Sequence, residues 1–111
     1  MREIKFRCYW KDYKEMHYPK HIDMENCKRD NEVELMQFTG LKDKNSVEIY
    51  EGDIVNCCIN HQNKTNLKGV LEWSSVNLFI KDKDEIMYSF NGASHVEVIG
   101  NIYESPELLK S

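Results

Sequence analysis

The residues best equipped for chemistry are four cysteines and four histidines. Cys57, Cys58 and His61 lie within five residues of one another, a density that raises zinc binding. Zinc sites are built from spaced pairs such as C-x2-C with a second pair at a distance, and Cys57-Cys58 has neither the spacing nor the second half. In a strand, adjacent residues point to opposite faces, so the two thiols cannot share one ligand shell. A Cys–His nucleophile needs a thiol beside an imidazole held by a third group, and no local signature of a cysteine hydrolase surrounds Cys8, Cys27, Cys57 or Cys58. The acidic run Asp82, Asp84 and Glu85 lacks the glycine and the closing glutamate of a calcium loop, and reads as a solvated turn. Neither GxGxxG nor GxxxxGK[ST] occurs, which leaves no phosphate-cradling loop. The expectation is a chain with no catalytic, cofactor or metal residues.

A different chemistry is written at the N-terminus. Residues 1–14 carry five basic and two acidic side chains, interleaved with Tyr9, Trp10 and Tyr13. Aromatic rings beside cations stack on unpaired bases, so Arg7, Tyr9, Lys11 and Tyr13 are the candidate binding residues and nucleic acid the candidate ligand. The competing reading is an amphipathic strand with a charged outer face.

These residues must be positioned by short extended segments. Residues 3–10 alternate Ile4, Phe6, Cys8 and Trp10 with Lys5, Arg7 and Tyr9, the period of a half-buried strand. Residues 11–14 read as a turn and 15–18 as its hairpin return; residues 19–32 are polar and read as a loop. A strand is expected over 33–38, then a turn and charged loop over 39–45 with Gly40 at positive φ. Further extended pieces are expected at 46–50, 54–59, 67–74, 77–81, 86–90 and 95–103, the last breaking at Gly100. They are punctuated by Gly52-Asp53, the polar loop 61–66, the turn 82–85 and Asn91-Gly92. Gly69 within a strand marks a bulge or a close backbone approach. Turn signals every 8–12 residues, with no 12-residue stretch of helical period, indicate an all-β barrel or sandwich. Its core is expected to hold Phe6, Ile54, Val70, Leu71, Trp73, Phe79, Val98 and Ile102.

Length and charge narrow the class. A chain of 111 residues makes one domain with a core that needs no disulfide staple. The opening MREIKFRCYW lacks the apolar stretch of a secretory signal, so the cysteines read as free thiols of a reducing cytosol. No apolar run approaches the roughly 18 residues of a membrane span. Residues 1–50 are neutral, with ten basic and ten acidic side chains, whereas residues 51–111 carry five basic and nine acidic and hold the whole net charge of −4. That balance opposes non-specific DNA binding and favours a basic partner surface.

Three stretches, MREIKFRCYW, QFTGLKDKNSVEIYEGDIV at 37–55 and VEVIGNIYESPELL at 96–109, resemble the YopX family, small proteins carried by phages and prophages of Gram-positive bacteria. The resemblance runs in order over nearly the whole chain. It implies a mainly β fold with a small SH3-like barrel over residues 48–104, an N-terminal strand pair and polar loop over 1–47, and a tail over 105–111. In that fold Tyr50 and Tyr103 would anchor the two ends of the barrel. At position 46 this sequence has serine where the family phrase has glycine, and Cys57-Cys58 stands where ordinary strand residues are expected. The expected function is non-enzymatic: an interaction or regulatory protein that binds a host or phage protein, with nucleic-acid binding as the alternative. Exposed strand edges also admit a homo-oligomer.

Overall fold

The computed structural model describes residues 5–18, 33–59, 64–74 and 77–109. Among these residues it is mainly β: nine strands in two antiparallel sheets, plus two short 3-10 turns at Phe90–Gly92 and Pro106–Leu109. The first sheet has the order β2-β1-β3-β4, with β1 at Phe6–Trp10, β2 at Glu15–His17, β3 at Val33–Lys42 and β4 at Glu48–Tyr50. The second has the order β8-β7-β6-β5-β9, with β5 at Asp53–Ile59, β6 at Lys64–Ser74, β7 at Asn77–Lys81, β8 at Met87–Ser89 and β9 at Ala93–Asn101.

The five-stranded sheet curls into a half-barrel. Two register shifts between β5 and β9, at Ile54/Val55 and Asn56/Cys58, add residues to β9. Such bulges raise local twist and bend the strand. His95 lies within the second shift at φ 55°, in the left-handed region. The curled sheet encloses Val55, Cys57, Ile59, Leu71, Ile80 and Tyr88, and β4 of the other sheet inserts Ile49 into the same cluster. Ile54 and Val70 face each other across the β5–β6 ladder and lie outside that cluster, yet both are buried.

The two sheets are joined through the turn between β4 and β5. Glu51 N–H donates to Gln37 O of β3, Gly52 N–H donates to Leu71 O of β6, and Gly52 O accepts from Ile102 N–H. Gly52 sits at φ 86°, a conformation that glycine adopts without steric cost.

The mainly β, barrel-like architecture is as expected. Several details differ from the sequence reading. β3 does not end at Phe38 but runs to Lys42, passing through Gly40 at φ 87° as a bulge against β4. β9 continues through Gly100 to Asn101, with one register shift abutting Gly100 and a second between Ser94 and Glu97. Of the eight expected core residues, Ile54, Val70 and Leu71 are buried, whereas Phe6, Trp73, Phe79, Val98 and Ile102 are half-buried. In β7 the buried residue is Ile80, because the side chain one position on from Phe79 faces the inside of the curl. The polar loop read at 19–32 lies outside the described residues, as do Cys27 and His61.

Candidate functional site

The four N-terminal candidates do not form one surface. Arg7 and Tyr9 both lie on β1 and both are buried. Arg7, 4% exposed, donates from Nη2 to Asp53 Oδ1 at 2.7 Å, and its guanidinium carbon stands 4.7 Å from the centre of the Tyr50 ring. Asp53, 2% exposed, accepts the Tyr50 N–H on its other oxygen at 2.8 Å. Burial pushes the Asp53 carboxyl up, and Arg7 and the Tyr50 N–H pull it back only in part. This pair clasps β1 of one sheet to β5 of the other. Tyr9 stacks on Tyr103, with ring centres 5.1 Å apart and planes 20° apart. Lys11 reaches Glu34 Oε1 at 2.8 Å, and Tyr13 is exposed on the 11–14 turn. The structure therefore engages Arg7, Tyr9 and Lys11 in contacts within the chain, Arg7 and Tyr9 buried, and leaves Tyr13 exposed on the turn.

The thiols are also internal. Cys57 points into the half-barrel core and Cys58 to the opposite face, as the alternation of a strand requires; both, with Cys8, are free. Desolvation pushes the Cys57 thiol up to about 11, which keeps it protonated at neutral pH.

Asp43 carries the turn before β4. Its Oδ1 accepts the N–H groups of Asn45 and Val47, and its Oδ2 accepts Val98 N–H of β9 at 2.8 Å. Burial alone would raise this carboxyl, but the three backbone donors outweigh it and hold the Asp43 carboxyl below the usual carboxylate range. Ser46 occupies φ 66° in this turn. Serine, standing where the family phrase has glycine, thus adopts a left-handed conformation here.

Among the described residues, clefts open at several places where the sheets meet, and two of them adjoin the Tyr50–Asp53 turn. The first, about 280 Å³, is lined by Arg7, Tyr18, Val47, Tyr50, Asp53 and Val98 among others. Its charges are offset: Arg7 by Asp53, and Glu48 at its rim by Lys5.

The second cleft, about 350 Å³, has a different character. It is bounded by Glu34 and Met36 of β3, by Glu51 and Gly52 of the turn, by Leu71, Glu72 and Trp73 of β6, and by Tyr103 after β9. Three carboxylates and two aromatic rings line it, and no basic side chain does. Each glutamate is held in place. Glu51 Oε1 accepts Gln37 N–H at 3.0 Å, Glu34 pairs with Lys11, and Glu72 pairs with Lys81 Nζ at 2.8 Å. The Tyr103 hydroxyl is pushed up mainly by burial and next by Glu34; Lys11 pulls it back in part, and Glu51 adds a smaller push upward. An aromatic wall beside carboxylates suits a cation: the ring faces attract it, and the glutamates supply charge-assisted hydrogen bonds. Sequence reasoning missed this cleft because its residues come from four separated stretches; the acidic excess of residues 51–111 was its one trace.

Comparison with known proteins places the chain among relatives. The family model described as YopX protein matches residues 5–110. The crystal structure of protein EF1440 from Enterococcus faecalis is similar over 98% of this chain and 99% of that one, at 26% sequence identity and a TM-score of 0.67. The crystal structure of YopX from Bacillus subtilis is similar over 95% of this chain and 97% of that one, at 20% identity and a TM-score of 0.65, a likeness of fold. No curated protein matches.

Proposed function

This chain belongs to the YopX family, and on that premise we propose that it is a phage- or prophage-encoded, non-enzymatic interaction protein of the bacterial cytoplasm that binds a basic segment of a host or phage protein. One observation carries the reading: the cleft between the sheets, where Glu34, Glu51 and Glu72 surround Trp73 and Tyr103 with no basic side chain in the lining. A pocket of aromatic anchors with a few convergent polar groups is the common form of a protein-binding hot spot. Its charge repels phosphate and attracts lysine or arginine. The high thiol of Cys57 and the internal use of Asp43 and Asp53 support the non-enzymatic half of the reading.

The test is affinity capture from infected or lysogenic cells with tagged wild type and the Glu34→Gln/Glu72→Gln variant, each with and without nuclease. The expected result is a specific protein, retained by wild type after nuclease treatment and reduced at least about tenfold by the variant, an electrostatic loss that grows at low salt. Equal recovery by both proteins, material released by nuclease, or no specific protein overturns the proposal.

A further inference from the structure

We infer that Lys11 and Lys81 are displaceable placeholders at this cleft, and that the partner group that takes over their glutamates is an arginine side chain rather than a lysine. The inference rests on the proposed binding of a basic protein segment and names the chemistry of its key residue.

Neither lysine lines the cleft; each reaches a lining glutamate from outside it, Lys11 to Glu34 Oε1 and Lys81 to Glu72 Oε1, both at 2.8 Å. All four side chains are partly exposed. Ion pairs in that setting contribute about 1 kcal/mol or less, so exchanging one cation for another costs little. Glu51 differs: among the described residues its carboxylate has no ion-pair partner, and Oε1 accepts a backbone N–H. The cleft therefore holds one carboxylate with its charge unmatched and two whose charges are matched by weakly held ammonium groups.

An incoming lysine would replace an ammonium by an ammonium and gain little. A guanidinium gains on two counts. Its planar fork engages a carboxylate through two parallel hydrogen bonds, which an ammonium cannot do. Its flat face stacks on an aromatic ring, and both Trp73 and Tyr103 line the cleft. Tyr103 is already fixed by its stack on Tyr9, so presenting its ring costs little further ordering. The resident lysines thus weaken any incoming cation alike, and the fork and the ring contacts set arginine above lysine.

The test uses two fluorescent probe peptides of equal length, four arginines or four lysines flanked by glycines, with binding read by anisotropy at constant ionic strength. Three folded proteins are compared: wild type, Lys11→Met/Lys81→Met, and a control, Lys42→Met/Lys83→Met, that removes the same charge from exposed positions away from the cleft. Wild type is expected to bind the arginine probe about tenfold more tightly than the lysine probe. The Lys11→Met/Lys81→Met variant binds both probes at least about fivefold more tightly and by the same factor, because displacing the resident ammonium groups opposes both probes alike, so the ratio is kept. The control, which removes the same charge at a distance, tightens them by about twofold or less. Wild-type affinities within about twofold of each other, or a control that tightens the probes as much as the cleft variant, overturn the inference while leaving the basic-segment reading standing. Failure of both probes to bind any of the three proteins overturns both.

Discussion

The buried pair Arg7–Asp53 gives the sharpest test of the architecture, because it joins residues 46 positions apart and holds one sheet to the other. Removing one member of a buried ion pair leaves an uncompensated charge and costs about 3–5 kcal/mol. Asp53→Asn keeps an oxygen for the Tyr50 N–H but turns an amide NH2 toward the guanidinium, so Arg7 remains buried and unpaired. Arg7→Met keeps an apolar side chain in the buried site but removes the guanidinium that stands over Tyr50, and it strands the Asp53 carboxylate. Each single variant is expected to lose about 3–5 kcal/mol, a large share of the 5–15 kcal/mol typical of a domain. The double variant Arg7→Met/Asp53→Asn removes both charges and retains the Tyr50 bond. It should cost no more than the worse single variant, which makes the coupling about 3 kcal/mol. Urea unfolding followed by tryptophan fluorescence measures all four corners of the cycle. The pH dependence adds a sign. The Asp53 carboxyl is raised on folding, so the stability tied to its protonated form is fully present below the ordinary carboxyl pKa and is lost as pH rises through the raised value. Without Arg7 the carboxyl rises further, so Arg7→Met should be destabilised less at pH 4 than at pH 7. Single variants that each cost under about 1 kcal/mol, or costs that add in the double variant, would refute a buried clasp between the sheets.

Three further outcomes follow from the same geometry. Asp43→Ala removes the acceptor of three backbone N–H groups and should cost about 2–4 kcal/mol by urea unfolding. Because the Asp43 carboxyl is held low, its contribution is present above the ordinary carboxyl pKa and lost as pH falls through the depressed value, so wild type and variant should converge in acid. Gly69→Ala places a Cβ 2.6 Å from Ile80 Cγ2 and 2.7 Å from Lys81 O; backbone cannot yield there, and thermal unfolding should show a loss of about 1–3 kcal/mol. Ser46→Gly relieves a left-handed serine at φ 66° and should stabilise by about 0.5–1 kcal/mol, the strain relieved exceeding the entropy that glycine adds to the unfolded chain.

Local signals in the sequence located most strands and turns, because alternation and turn chemistry act over a few residues. The hairpin of β1 and β2 and the turn at Gly52 are of this kind. Burial was harder to read. Alternation assigns one face of a strand to the core, but β5 lies between β6 and β9 in a curled sheet and is covered on both sides, so Ile54 and Val55 are both fully buried. Arg7 read as an outward-facing cation because its partner, Asp53, is distant in sequence. Half of Asp43's role was legible, since an aspartate bonding N–H groups two and four residues on is turn chemistry; the bond to Val98 spans 55 residues and was not. The carboxylate cleft is assembled wholly by such long-range contacts, which is why composition hinted at a basic partner while no motif located the site.

The central claim is that a basic protein segment binds at the cleft of Glu34, Glu51, Glu72, Trp73 and Tyr103. Its most direct test is chemical-shift mapping on the isotopically labelled protein, titrated with the arginine probe and, separately, with a single-stranded oligonucleotide. The expected result is saturable shifts from the peptide at the Trp73 indole and at the amides of residues 34–36, 51–52 and 70–73, with none from the oligonucleotide. Peptide shifts absent from those residues, or oligonucleotide shifts concentrated on residues 5–14, would contradict the claim and return attention to the N-terminal strand.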